Sequence, residues 1–239
     1  MARVCAENIV VDFPIYGSKS RSLKNAFIRA ATGGALAADA ADRVVVRALD
    51  GLNFEILEGD RVGIMGHNGS GKTTLLRVIA GAYEPVRGSV EVTGRVASML
   101  DITIGVDWEA TGYENIYLRA ALMGIRPRDV APMVNEIREF SELGDYIEMP
   151  LRTYSSGMVM RLAFAISTCI SADIILMDEW LSVGDPAFRE KAQQRLQRLL
   201  GQAKILVLAS HDEQLIRDNC NRILRLDHGS LVGDERVGA

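Results

Sequence analysis

An α/β fold built on a parallel sheet is predicted by three observations. Short apolar runs that read as buried strands alternate with segments of helical periodicity, a pattern that calls for parallel strands joined by crossover helices. One such run, Arg61-Val62-Gly63-Ile64-Met65, leads through the glycine-rich stretch Gly66-His67-Asn68-Gly69-Ser70-Gly71-Lys72-Thr73 into a segment, 74–83, with Leu75, Val78 and Ile79 at helical spacing. A second run, Ile174 to Met177, ends in the acidic pair Asp178-Glu179.

The bulk of the chain fits that class. Its 239 residues suffice for one large α/β domain or two small ones, and 48% hydrophobic with 24% charged residues is ordinary for a globular protein. A formal net charge of −4 argues against a general nucleic-acid binder. Cys5, Cys169 and Cys220 are far apart and lack metal-ligand spacing, which reads as reduced thiols. Arg3, Glu7 and Asp12 interrupt the N-terminus before any signal-peptide core develops. The longest apolar stretch, Leu162 to Ala172, is closed by Arg161 and Asp173, short of the ~18–20 residues a membrane span needs.

Taken in order, residues 3–13 read as a first strand. From Phe13 to Ala38 there is no acidic residue, while Lys19, Arg21, Lys24 and Arg29 are basic. Ser22 can cap a helix in which Leu23, Phe27 and Ala30 share a face, so this basic insertion, roughly 17–45, is either a membrane-facing amphipathic helix or a solvated surface helix. Residues 32–42 are small and glycine-rich and read as a loop. Val44 to Leu57 reads as two strands around the turn Asp50-Gly51. Past the glycine-rich stretch, residues 84–88 read as a turn, and Ser89 to Leu100 as strands broken at Gly94. Helices are expected over Glu109–Met123 and Arg128–Leu143, separated by Gly124 and Pro127, giving a helical insertion of roughly 105–165. Ser155-Ser156 cap an apolar helix, Gly157 to Ile170. A charged helix over 186–200 and a final buried strand, Lys204 to Ala209, complete the pattern.

The stretch Gly66 to Thr73 fits G-x-x-x-x-G-K-[ST] in the strand–loop–helix context that gives this pattern meaning, and so predicts a P-loop nucleoside triphosphatase. Backbone N–H groups of Gly66, His67, Asn68, Gly69, Ser70 and Gly71, with the helix start at Lys72, Thr73 and Thr74, would surround a phosphate. Lys72 would reach the β- and γ-phosphates and the Thr73 hydroxyl would ligate Mg²⁺. Asp178, at a strand end, would stand near the same ion, and Glu179 can polarise the attacking water as general base.

Between these two features lies Tyr154-Ser155-Ser156-Gly157-Met158 at the start of a helix. It resembles the signature motif of ABC-type ATPases, commonly LSGGQ. That resemblance implies a parallel core with an antiparallel β subdomain and a helical insertion, all in one ABC ATPase domain spanning 1–239. It also implies head-to-tail pairing of two copies, with Ser155, Ser156 and Gly157 of one facing the γ-phosphate on the loop of the other. Ser182-Val183-Gly184-Asp185 stands where the family has its D-loop, and His211 where it has a histidine contacting the γ-phosphate and Glu179. The family's Q-loop glutamine is absent; Asp101, in Ser98-Met99-Leu100-Asp101, is the nearest polar candidate and could hold Mg²⁺ or water. Phe13 or Tyr16 could stack on adenine. His67 occupies a variable loop position facing solvent, and His228, beside Gly229, has no assigned role.

The combination of Thr111-Gly112-Tyr113-Glu114-Asn115-Ile116, the Tyr154–Met158 signature and Val183-Gly184-Asp185 is similar to one subfamily, the ATPase subunits of exporters for lipid-linked O-antigen, capsule and teichoic acid. The likeness spans nearly the whole chain. It implies ATP hydrolysis with Mg²⁺ driving polysaccharide export, a polytopic permease as second partner, no nucleic acid, and a place at the cytoplasmic face of the membrane. Some members add a C-terminal carbohydrate-binding domain; because the chain stops at Ala239, just after the cassette, that domain is expected to be lacking. An ABC ATPase for another cargo (lipid, drug or nutrient) is the alternative.

Overall fold

The computed structural model describes residues 1–14, 35–38, 44–179 and 186–237. Tyr16, most of the basic insertion and the Ser182–Asp185 stretch lie outside the described residues. The chain forms two compact units, one comprising Met1–Val96, Ile174–Trp180 and Lys204–Ala239, the other Ala97–Asp173 and Leu181–Ala203.

The first unit contains two sheets. One is antiparallel, in the order β2-β3-β1-β5, from β1 (Arg3–Pro14), β2 (Ala35–Ala38), β3 (Val44–Leu57) and β5 (Arg87–Thr93). β1 starts with strict alternation, Val4 and Ala6 buried, then shifts register near Asn8 at φ 50° and continues as the buried run Ile9-Val10-Val11. The other sheet has a parallel centre, β9 (Arg222–Asp227), β4 (Arg61–Met65), β8 (Ile205–Ala209) and β7 (Ile174–Asp178), with β10 (Ser230–Arg236) antiparallel on the β9 edge. β4, β7 and β8 are buried almost throughout, as central parallel strands must be. Helices α1 (Lys72–Ile79) and α6 (Glu213–Asn219) belong to this unit, the former burying Leu75, Leu76, Val78 and Ile79.

Three expectations change here. Residues 32–42 are not wholly loop, because Ala35–Ala38 pairs antiparallel with Val44–Arg47 at the sheet edge. Val44–Leu57 is one strand instead of two: Gly51, at φ 68°, takes up a bulge in place of a turn, and the Asp50 N–H donates to Gly229 O at 2.8 Å. Lys204–Ala209 is not the last buried strand, since Ile223, Leu224 and Leu226 of β9 are buried beside β4.

The chain enters the second unit along β6 (Val96–Met99). Its helices are α2 (Gly112–Leu122), α3 (Pro127–Ser141), α4 (Ser156–Cys169) and α5 (Pro186–Gln202), with 3₁₀ turns at Gly144–Glu148 and Leu151–Thr153. Phe140, Phe164 and Phe188 pack with centroids 5.4 to 6.4 Å apart. Phe188 thereby ties α5 to α3 and α4, which is why the unit extends beyond 105–165. The guanidinium groups of Arg161 and Arg195 cover Phe188 and Phe140 at 4.8 and 4.3 Å. All three cysteines are free, and burial pushes the Cys169 and Cys220 thiols up to about 11 and about 12, so both stay protonated at neutral pH.

Candidate active site

β4 ends at Met65 and the chain turns through Gly66–Gly71 into α1. A side chain at Gly66 would meet Leu226 O at 2.3 Å and Ser70 Oγ at 2.4 Å, so the loop packs directly on the end of β9. The Ser70 N–H donates to His67 O at 3.1 Å and the Gly229 N–H to Ser70 O at 3.0 Å, which fastens the loop to the β9–β10 turn. Lys72 Nζ donates to Gly66 O at 2.7 Å and His67 O at 3.0 Å, holding its charge at the loop. Helix α1 has no side-chain cap and no acidic residue in its first turn, so its N-terminal N–H groups and positive dipole end favour an anion. Ser70 Oγ is buried without a protein partner among the described residues.

The acidic pair closes on this loop from β7. Thr73 Oγ1 donates to Asp178 Oδ2 at 2.5 Å, across 105 positions of sequence. A hydroxyl and a carboxylate in direct contact form an oxygen donor set of the kind Mg²⁺ takes. Glu179 follows with φ 65°, an uncommon conformation for a residue with a side chain, held by its N–H donating to Ala209 O at 2.8 Å. Its Oε1 lies 2.9 Å from His211 Nδ1, and both side chains are more than half exposed, so the pair faces solvent instead of the core. β4, β7 and β8 thus end at one edge with Lys72, Thr73, Asp178, Glu179 and His211 gathered there.

The remaining predicted residues stand elsewhere. Phe13, at the end of β1, packs edge-on against Tyr83 with centroids 5.4 Å apart. Asp101 lies in the second unit, where Oδ1 accepts from the Thr103 hydroxyl at 2.6 Å and the Thr103 N–H at 3.0 Å; the hydroxyl bond leads in holding its carboxyl below the usual range. Ser155 is the N-cap of α4, accepting from the Met158 N–H at 3.3 Å. Beyond that serine Oγ at 3.9 Å, a side-chain carbon at Gly157 would meet nothing, so the helix start is sterically open. His67 is not simply turned to solvent: Nε2 lies 3.1 Å from Asp227 Oδ1.

The structure also accounts for residues that sequence left as bare motif. The Tyr154 hydroxyl donates to Tyr146 O at 2.5 Å, and a side chain at Gly112 would strike that hydroxyl at 2.3 Å. Gly112 and Tyr154 are therefore required by each other, and burial, followed by the Glu148 charge, pushes the phenol up to about 12. Asn115, buried, donates to the carbonyls of Asp107, Ala110 and Thr111 and accepts from the Asp107 N–H. Thr111 and Glu114 form a reciprocal capping box on α2. Sequence reasoning read a late turn at His228-Gly229 but missed β9 before it and the contact by which this turn closes the phosphate loop; the signal for the strand is Ile223, Leu224 and Leu226 around Arg225.

Known proteins resemble the chain over this whole arrangement. Over 237 residues it is 44% identical to the O-antigen export system ATP-binding protein RfbE of Yersinia enterocolitica, covering 99% of each. Over 229 residues it is 35% identical to the teichoic acids export ATP-binding protein TagH of Bacillus anthracis, covering 96% of this chain and 40% of that protein. A solved ATP-binding cassette, described as dimeric in a post-hydrolysis state bound to ADP and Pi, matches at TM-score 0.69 and 22% identity over 99% of each chain, which shows the fold. Residues 49–182, from within β3 through both phosphate-site motifs, match the family model described as ABC transporter. The chain belongs to the ABC transporter family.

Proposed function

We propose that this chain is the ATP-hydrolysing subunit of an exporter that moves a lipid-linked, O-antigen-like polysaccharide across the cytoplasmic membrane. The export reading rests on relatives named for O-antigen and teichoic acid export, the first of them matched end to end. The chemistry rests chiefly on one observation: Glu179, in its left-handed conformation and paired with His211, directly follows the Asp178 carboxylate that Thr73 of the phosphate loop contacts.

Lys72 and the N–H groups at the start of α1 hold the β- and γ-phosphates and offset their charge. Thr73 and Asp178 would hold Mg²⁺, which when bound would offset charge on the phosphate oxygens. Glu179 Oε1 takes a proton from the attacking water, His211 Nδ1–H keeps that carboxylate in place, and the other ring nitrogen, Nε2, when it carries a proton, adds a donor towards the transferred phosphate. Ser155 and Gly157 of a second copy supply the remaining donors, from a Ser155-capped helix end that carries no acidic residue in its first turn. ATP would then draw two copies together and hydrolysis release them, a cycle able to drive a separate permease. The subunit would bind that permease on the cytoplasmic face; among the described residues no helix is long and apolar enough to cross a membrane.

Depletion of the chain in its own cells tests the cargo. Glycan should accumulate on its lipid carrier inside the membrane; unchanged glycan with another solute retained would point to a different cargo.

A further inference from the structure

We infer that His67, Asp227 and His228 form a binding site for a divalent transition-metal ion of the zinc class, separate from the Mg²⁺ position at Thr73 and Asp178 and independent of what the protein exports. The two histidines are 161 positions apart in sequence, yet their rings meet with centroids 4.7 Å apart. His67 Nε2 lies 3.1 Å and His228 Nε2 3.8 Å from the same carboxylate oxygen, Asp227 Oδ1, and one ligand atom from each of the three residues falls within 4.8 Å of the others. Ligands about 2.0–2.2 Å from a tetrahedral zinc ion stand roughly 3.4 Å from one another, so small side-chain rotations close the set.

The hydrogen bonding of His67 favours a cation at this point. Nδ1 faces the carbonyl of Asn68 at 2.8 Å, and a carbonyl only accepts, so Nδ1 carries the ring proton. In the neutral ring Nε2 then presents a lone pair to the Asp227 carboxylate, two acceptors face to face. A second proton or a metal ion relieves that contact. A histidine whose other nitrogen donates to a backbone carbonyl is the usual arrangement of a metal ligand, because that bond sets both tautomer and ring direction. Two imidazoles and one carboxylate suit zinc or its first-row neighbours and do not suit Mg²⁺.

The backbone under the site is already fixed. His67 belongs to the phosphate loop; Asp227 ends β9, and His228-Gly229 form its two-residue turn with φ 46° and 82°. A turn of that shape ordinarily takes Asn-Gly or Asp-Gly, so a histidine there departs from the residue the backbone prefers. The Gly229 N–H bond to Ser70 O and the packing of Gly66 on Leu226 O hold loop and turn together before any ion arrives. A bound ion would staple the phosphate loop to the hairpin.

The test titrates the purified full chain with Zn²⁺ alone, by calorimetry and by zinc K-edge absorption. One saturable ion per chain with two imidazole ligands is expected, together with a zinc-dependent rise in melting temperature, since the ion binds the folded form. His228→Asn removes one ligand while supplying the residue this turn prefers, so the fold is retained; Asp227→Asn is the second variant. Each should weaken zinc binding by about 10–100-fold or more, the loss that follows from disturbing even the outer shell of a metal site. His211→Ala removes the third of the chain's three histidines and should leave the affinity unchanged. Absence of saturable binding to the parent, or equal affinity in His228→Asn, would overturn the site.

Discussion

At the phosphate loop nearly every functional side chain already has a partner within the first unit: Lys72 on the loop carbonyls, Thr73 on Asp178, Glu179 on His211. The start of α4 in the second unit is built the other way. Tyr154 is anchored beneath it, but Ser155 is bonded only to its own helix and Gly157 opens onto empty space. One region is pre-organised to hold a phosphate and position a base. The other presents a helix end capped by its own Ser155, with room at Gly157 for something to approach. That contrast is what a shared site requires, with one copy holding the nucleotide and the other covering it.

The comparison can be broken from either side. The largest effect is expected from Glu179→Gln, which keeps shape and nucleotide binding but removes the base. Turnover should fall by about 10²–10⁴-fold in a phosphate-release assay while ATP affinity stays within a few-fold. Near-normal hydrolysis would remove Glu179 from the mechanism. Gly157→Ala is sharper for the second region, since replacing glycine inside a helix stabilises it by about 0.5–1 kcal/mol. The melting temperature should hold or rise while turnover drops, on the order of 100-fold if the closing surface is displaced by a side chain. Unchanged turnover would mean that nothing approaches there.

Smaller effects probe the scaffolds. Arg222, on β9, joins the nearly buried Asp60 at 3.3 Å to Asp234 on β10 at 2.7 Å. Arg222→Ala leaves Asp60 with the Leu57 N–H at 3.0 Å and Arg236, itself largely exposed, at 3.3 Å, and should cost about 2 kcal/mol in denaturant unfolding. Under the second region, Tyr154→Phe loses one hydrogen bond while Tyr146 O keeps the Met149 N–H at 2.8 Å, for about 1 kcal/mol. The mildest change is Asp234→Asn. Hydrogen bonding from Arg222 holds the Asp234 carboxyl below its usual range, so its contribution is present above the unfolded value near pH ~4 and is lost as pH falls through the lower folded value. The variant should lose stability at neutral pH and show a flatter decline on the acid side.

Much of this was legible in sequence where local pattern and function coincide. Buried parallel strands are near-continuous apolar runs, and the residues at their ends, Asp178-Glu179 and His211, stand out because the runs stop there. The Ser155 cap and the Thr111–Glu114 box are local hydrogen-bond patterns, readable from spacing alone. Tertiary context hid the rest. Ala35–Ala38 becomes a strand only because Val44–Arg47 offers an edge, and Asp50-Gly51 looks like a turn until Gly229 holds it in a bulged strand. Neither the pairing of His67 with Asp227, 160 positions away, nor the mutual fit of Gly112 and Tyr154 leaves a short-range signature.

The central claim is that turnover uses the phosphate loop of one copy and the α4 start of another. Mixing two variants measures it directly: Lys72→Ala, which spoils the loop, and Gly157→Asp, which sets a carboxylate at the helix end. Each alone should be nearly inactive. In an equal mixture half of the randomly formed pairs combine the two variants, and each such pair holds one site made wholly of intact parts, so turnover should recover to about a quarter of the parental value. A mixture as inactive as its components would contradict the account and confine each site to a single chain.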